Sequence, residues 1–456
     1  MSLRLVRGTW FFAIVLGLAM AATACGGAAP SPTAAPAPKA PAAAPTQAAA
    51  PAAAPTQAAA PAAAPAATTA SGATQQFAGT ILIGMSDSLT GSLAKEGNLA
   101  LNGAKLAIDQ INKAGGVDVG GKKYQFALKY YDDESKSATT VNLIDKLITQ
   151  DKVQFLLSPY SSGQVEAGAP IAEKYKVIMM NHGGAADSLF THGYKYMFTI
   201  GTPASLYLAS TIDMLGTLNP PVKKIALIGA NDVFSAAVLD GASKYAKSKG
   251  FDVVIDQHYP PATKDISTLL TQVKQAGADV LLGSGHFEDA ILTVRQAKQL
   301  DLNVKVMGFT VGPSTPDFVQ SLGKDAEYVL DPDSWVALQK TASDDVFKSS
   351  TNYAQLYKAA YGDVPDYHSS QASACVTTLA KAIETAGSTD TEKVRTALLG
   401  MDYKTLWGEV KFDPKGQNTL HAEVVEQTQN GQHVLIWPTD VATGKLIYPM
   451  PAWNKR

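Results

Sequence analysis

The stretch TILIGMSDSLTGSLAKEGNLALNGAKLAIDQINKAGG, Thr80 to Gly116, decides the fold. It opens on a nearly continuous apolar run, Thr80 to Met85, containing Ile81, Leu82 and Ile83. A strand without polar alternation is buried on both faces, as in a parallel sheet covered by helices on either side. Leu101, Ala104, Ile108 and Ile111 then recur at helical spacing, and Gly115-Gly116 supplies the stop. The alternation continues with strands at Phe126–Tyr131, Val153–Leu157 and Val177–Met180. Helices run through Val141, Ile144, Leu147 and Ile148 and from Glu166 to Tyr175. Past Thr202-Pro203 the rhythm restarts. Strands are expected at Lys224–Ile228, Asp252–Gln257, Val280–Leu282 and Val304–Met307, and helices near Ala236–Lys249, Ile266–Ala276 and Phe287–Leu300. Asp265 suits an N-cap and Gly277 a C-terminal cap for the middle helix. Two successive βαβα units give an α/β protein of two doubly wound parallel-sheet lobes. Ligands bind beyond the carboxyl ends of such strands, so the cleft between the lobes is the natural site.

The whole chain has 456 residues, 46% of them apolar and 17% charged, with a formal charge of −2. That even balance argues against a nucleic-acid binder, which carries a basic stripe. Two cysteines make neither a disulfide framework nor a cysteine-rich zinc site. Arg4 and Arg7 precede an apolar stretch from Trp10 to about Met20, and small residues then lead into Cys25. This order reads as a secretory signal peptide over residues 1–24, too short to span a bilayer. The segment Ala22-Thr23-Ala24-Cys25, followed by Gly26-Gly27, resembles a bacterial lipobox, with Ala22 where Leu is usual. The resemblance implies a lipidated Cys25 and a membrane anchor; an uncleaved anchor or an incidental cysteine are the alternatives. Residues 25–77 are almost entirely Ala, Pro, Thr, Gln and Ser, with prolines such as Pro41, Pro45, Pro51 and Pro55 in a repeat. Proline at that density breaks helix, and nothing in the segment can build a core. It reads as a disordered spacer reaching on the order of 150 Å if fully extended.

From Phe77 to the end the chain resembles the type I periplasmic binding proteins, and within them the leucine/isoleucine/valine-binding receptors of ABC transporters. The likeness rests on Ser88-Leu89-Thr90-Gly91, the run Asn102 to Asn112 closed by Gly115-Gly116, and Tyr131-Asp132-Asp133-Glu134. Ser158-Pro159-Tyr160-Ser161-Ser162-Gly163, Leu379 to Gly387, Gly408 to Asp413 and Tyr448-Pro449-Met450-Pro451 add to it. The resemblance implies three crossovers between lobes, near Ile200–Thr202, Asp331–Trp335 and Trp407. The first lobe would then comprise residues 78–200 and 334–406, and the second 201–333 and 407–456. It further implies a small-molecule ligand, carboxylate or amino-acid-like, and an ABC permease as partner. The location would be the periplasm or the outer face of the cytoplasmic membrane. No cofactor, metal or catalysis is implied.

The resemblance also places the ligand contacts. Ser161, with Ser162 beside it, and the backbone amides of Gly184, Ala185 and Ala186 in the turn Gly183 to Ala186 would hold a carboxylate. Small residues let amides approach closely, and a helix N-terminus adds partial positive charge. An ordinary capping serine and a glycine-permitted turn are the plainer alternative. Phe234, His286 and Phe287 would cover the ligand's side chain from the second lobe, where core packing is the plainer alternative. Tyr160, His182 and Trp335 are further cleft-wall candidates. Amino-acid-binding members place a carboxylate where this chain has Thr310, and a buried ammonium needs an anionic partner. Glu288 and Asp289 are possible substitutes that could equally serve the helix start. The expectation is therefore a carboxylate or amide without an α-ammonium.

Other constellations fail. Gly283-Ser284-Gly285 has Glu288 where a dinucleotide fingerprint needs its third glycine, and Lys123 stands where a phosphate loop needs Ser or Thr. No Gly-x-Ser-x-Gly elbow and no His-Glu-x-x-His occurs. Cys375 shares a helix face with Ala372, Leu379 and Ile383 and reads as a buried thiol. A ligand-sensing module for a receptor or regulator would use the same cleft, and a surface-anchored hydrolase is the reading from another class.

Overall fold

The computed structural model describes residues 76–420 and 423–456. The expected signal peptide, the expected lipidation site Cys25 and nearly all of the Ala/Pro-rich segment lie outside the described residues. Fifteen strands follow: β1 (Gly79–Asp87), β2 (Val117–Val119), β3 (Lys122–Asp132), β4 (Phe155–Leu157), β5 (Met179–Asn181), β6 (Met197–Thr199), β7 (Lys224–Ala230), β8 (Asp252–Tyr259), β9 (Val280–Ser284), β10 (Val306–Phe309), β11 (Leu330–Asp333), β12 (Tyr403–Thr405), β13 (Gly408–Val410), β14 (Val424–Gln429) and β15 (Gln432–Trp437). The α-helices among the described residues are α1 (Ala94–Lys113), α2 (Ser137–Thr149), α3 (Ser162–Tyr175), α4 (Ala209–Leu215), α5 (Val233–Ser248), α6 (Ser267–Ala276), α7 (Phe287–Gln299), α8 (Pro316–Leu322), α9 (Ser350–Tyr361), α10 (Tyr367–Ala386) and α11 (Thr391–Leu399). No described helix is long and apolar enough to cross a membrane.

The strands form two main sheets, ordered β2-β3-β1-β4-β5-β6 and β15-β14-β11-β10-β9-β7-β8. In the first, β1 pairs in parallel with β3 and β4. Its apolar run is explained by burial on both faces. Ile81, Ile83 and Met85 join Leu101, Ala104, Ile108 and Ile111 under α1 and α10, whereas Leu82 packs with Ile144 and Leu147 of α2. Cys375, fully buried in that first cluster, has its thiol pushed far up by desolvation.

The second sheet is not wholly parallel. β14 and β15 add an antiparallel hairpin onto β11, turning at Asn430-Gly431, both with positive φ (54° and 70°). The N-cap of α6 is Ile266 and not the expected Asp265, which precedes it and accepts from the Ser267 amide at 2.8 Å, whereas Gly277 is the left-handed C-cap at φ 63°.

The chain passes between the sheets three times. Ile200 belongs to the first core and Ala204 to the second; Leu330 belongs to the second and Trp335 to the first. The third passage corrects the expectation near Trp407. Trp407, Val410 and Phe412 are buried in the first core, and the Phe412 ring sits 5.2 Å from Phe198. Gln417 still bridges to Thr199, so the crossing falls between Asn418 and Val424. Through and just past the short β12–β13 hairpin the buried apolar pattern continues to Phe412, five residues beyond Trp407.

Candidate functional site

In each sheet one strand has neighbours reached in opposite directions: β1 lies between β3 and β4, and β7 between β8 and β9. At such a switch point the loops diverge and leave a crevice beyond the carboxyl ends. The first crevice is built on Asp87, whose Oδ1 accepts from the amides of Ser88 (2.9 Å) and Tyr160 (2.8 Å). Burial pushes this carboxyl well above its ordinary range. Ser88 Oγ donates to Asp133 at 2.7 Å, locking the loop after β1 against that after β3.

Ser161 and Ser162 divide the work of the loop after β4. Ser162 Oγ accepts from the amides of Ala185 (3.0 Å) and Ala186 (3.1 Å). The Gly184 amide goes to Asn181 Oδ1 at 2.8 Å, and the Gly183 amide is shared between Ser158 Oγ and Asn181 Oδ1 at 3.2 Å. The expectation that Gly184, Ala185 and Ala186 offer amides to a carboxylate is therefore corrected: Asn181 and Ser162 already use them. Ser162 likewise holds the turn. The Ser161 hydroxyl, in a residue 8% exposed, has no hydrogen bond among the described residues. It is the uncommitted donor.

The second lobe closes directly over this loop. The Tyr160 hydroxyl and His286 Nδ1 are hydrogen-bonded at 3.0 Å. Glu96 Oε1, from α1, accepts from the Phe287 amide at 2.9 Å, and Lys95 pairs with Asp317. His286 Nε2 lies 3.7 Å from Asp232 Oδ2, and Nδ1 lies 4.0 Å from Glu96 Oε1. The imidazole thus stands between a carboxylate of each lobe.

This pair separates two chambers. The inner one, lined by Tyr160, Ser161, His182, Gly184, Ala185 and Phe234, has a volume of about 10 Å³, room for one water. Tyr207, Tyr367 and Gln371 complete its wall. The outer one, about 790 Å³, lies between Ser161, Gly163 and Gln164 on one side and Asp232, His286 and Glu288 on the other. That is the size range of small-molecule pockets. His182 is almost wholly enclosed with no hydrogen bond at either ring nitrogen, Nε2 lies 3.9 Å from Asp87 Oδ2, and burial lowers its pKa to about 4. At neutral pH it is an uncharged imidazole.

Three expected site residues are placed elsewhere. Thr310 is fully buried and its hydroxyl reaches Ser284 Oγ at 3.3 Å. The Phe287 ring belongs to the second lobe's core, leaving only its amide at the interface. Trp335 is 1% exposed in the first lobe's core, donating from Nε1 to Leu406 O at 2.8 Å. Phe234 lines the inner chamber and packs edge-on to Tyr207, with ring centroids 5.3 Å apart. Asp289 accepts from the His286 amide at 2.9 Å, the helix-start role.

Reading by residue type overlooked Glu96, Asp232, Tyr207, Tyr367 and Gln371. Asp232 carried a signal: it precedes Val233-Phe234-Ser235 as an N-cap, and its Oδ1 accepts from the amides of Phe234 and Ser235. Asp232 and the expected substitutes Glu288 and Asp289 border the outer chamber, and Glu96 accepts the Phe287 amide at the lobe interface. Carboxylates thus line the cavity although Thr310 itself offers none.

The fold and this cleft agree with what the chain is similar to. The family model described as periplasmic binding protein matches residues 80–432. A leucine-, isoleucine-, valine-, threonine- and alanine-binding protein of Pseudomonas aeruginosa is 28% identical over 351 residues, covering 74% of this chain and 87% of that protein. A Leu/Ile/Val-binding protein homolog of Brucella abortus is 26% identical over 374 residues, 79% of this chain and 91% of its own. Among solved structures, the branched-chain amino acid transporter substrate-binding protein LivJ of Streptococcus pneumoniae, in complex with isoleucine, superposes with a TM-score of 0.67. It is 23% identical, covering 78% of this chain and 97% of that one. A Rhodopseudomonas palustris solute-binding protein in complex with benzoate gives 0.67 at 16% identity, covering 78% and 95%. With the match spanning both lobes and both switch points, this chain belongs to the periplasmic binding protein family.

Proposed function

We propose that this protein is an extracytoplasmic solute receptor that captures a small amino-acid-like molecule between its lobes and delivers it to an ABC permease. Cys25 tethers it to the membrane by lipid, and the Ala/Pro spacer gives it reach. It performs no catalysis. The observation that carries the reading is the Tyr160–His286 contact: groups at the two switch points meet directly beside an uncommitted Ser161 hydroxyl and a cavity of about 790 Å³. Parting that pair joins the two chambers. A ligand that touches both walls then favours the closed state, because only differential affinity shifts the population. Ser161 donates to the ligand's carboxylate. Asp232 and Glu96, which flank His286 in the closed form, take its ammonium in place of the absent carboxylate at Thr310.

Calorimetry with leucine, isoleucine and valine, each beside its des-amino counterpart, tests this. The amino forms are expected to bind at least about tenfold tighter, since removing a partner from a hydrogen-bonded charge pair costs roughly 1.5–3 kcal/mol. Asp232→Asn, which keeps a good helix cap, is expected to erase most of that preference. Equal affinity for both series would overturn the ammonium assignment.

A further inference from the structure

A cluster of buried acidic groups sits on β11, which leads into the second crossover, and on β14, which follows the third. β11 and β14 run antiparallel with Asp331 directly opposite Glu426, and Asp333 opposite Val424. Side chains two apart share a face of a strand, so three carboxylates converge on one side of the sheet. One oxygen from each lies within 4.8 Å of the others. All three are buried, at 1%, 1% and 3% exposure. Like charges directly across a ladder destabilise it, and an unpaired buried carboxylate costs several kcal/mol.

Nothing among the described residues balances them. No lysine or arginine forms an ion pair with any of the three; the charged groups facing Asp331 are Glu426, Glu423 and Asp366, and those facing Asp333 are Asp331, Glu426 and Glu423. Asp333 gains one amide, from Trp335 at 2.9 Å. His433 Nδ1 stands 3.8 Å from Glu426, but burial disfavours its charged form. A separate observation points to a missing ligand. The buried hydroxyl of Ser314 faces Asp331 without the geometry of a formed hydrogen bond, and neither Asp331 oxygen has a well-formed one.

We propose that Asp331, Asp333 and Glu426, with Ser314 beside them, form a binding site for a calcium ion. The donor set is all oxygen, which suits a hard cation and excludes the nitrogen and sulfur preference of zinc. Calcium takes six to eight oxygens in flexible geometry, whereas magnesium demands near-ideal octahedral geometry and keeps several waters in place of an all-protein cage. Donor oxygens within 4.8 Å of one another can all reach one ion at calcium–oxygen distances of about 2.3–2.6 Å. Asp333 is followed by Ser334, whose hydroxyl donates to both Glu423 oxygens at 2.8 and 3.0 Å, and Glu423 leads into β14. An ion here fastens two of the three crossovers to each other.

The test is calcium titration of the full chain after stripping with a chelator, read by calorimetry and by thermal melting at neutral pH. One ion per chain is expected, with a dissociation constant on the order of 10⁻⁵ to 10⁻³ M, and a melting temperature raised by several degrees at saturation. Asp331→Asn combined with Glu426→Gln is expected to abolish binding and to melt, without calcium, no lower than the wild type. Should the double variant not fold, Glu426→Gln alone is expected to weaken binding at least about tenfold. Absence of both heat and melting shift in the wild type overturns the site, as would calcium binding that survives these substitutions.

Discussion

Ser161→Ala is expected to weaken ligand binding about 10- to 100-fold while leaving the unfolding free energy unchanged. Its neighbour should do the reverse. The Ser161 hydroxyl has no partner among the described residues, so its removal leaves nothing unsatisfied in the free protein. A hydrogen bond to a ligand's charged group is worth roughly 1.5–3 kcal/mol, and that sets the loss in affinity. Ser162 Oγ instead accepts two buried amides, from Ala185 and Ala186. Ser162→Ala orphans both, at about 1–3 kcal/mol each, so a stability loss of roughly 2–5 kcal/mol is expected in urea unfolding. Calorimetry and denaturation on the two variants separate the roles. An unchanged dissociation constant for Ser161→Ala would remove it from the site.

The largest stability effect is expected at Gly103, in the middle of α1. A Cβ built there would lie 1.9 Å from the Ser369 carbonyl oxygen and 2.6 Å from its carbon. The obstruction is main chain on α10, which cannot rotate away as a side chain could. α1 also receives a hydrogen bond from Ser373 Oγ to the Gly103 carbonyl at 2.7 Å, which separation of the helices would break. Glycine inside a helix costs up to about 1 kcal/mol relative to alanine, so the close approach has a compensating value in packing. Gly103→Ala is expected to lose about 3 kcal/mol or more, and Gly103→Leu to leave little folded protein. Gly163, whose Cβ would meet nothing within 4 Å, is the control: Gly163→Ala should stay within about 0.5 kcal/mol. A Gly103→Ala protein as stable as the wild type would contradict the packing described.

What the sequence disclosed followed how local the cause was. Ile81, Leu82 and Ile83 announce a doubly covered strand because both faces are buried in the same few residues. The β14–β15 hairpin was legible too, since Asn430-Gly431 is the residue pair a turn with two positive φ angles requires. Its strands are hidden from sequence because Glu426, Gln427 and Thr428 are polar and read as surface, yet all three are buried. Trp407 marked a change in direction that proves to be a small hairpin on the first lobe, a distinction set by distant Phe198. At the site, a serine and a small-residue turn could be read, but not which serine was spent: that depends on the amides of a loop more than twenty residues away. Thr310 and Asp232 show the same limit. Each is polar at a strand end, and only the packing turns one to Ser284 and the other to the chamber.

The central claim is that one ligand is gripped from both lobes, and amide hydrogen exchange with and without a bound amino acid measures that most directly. Slower exchange is expected together in residues 158–164 and in residues 231–235 and 284–288, the loops brought together by Tyr160 and His286. Protection confined to one lobe, or to neither of these loops while calorimetry reports binding, would contradict it.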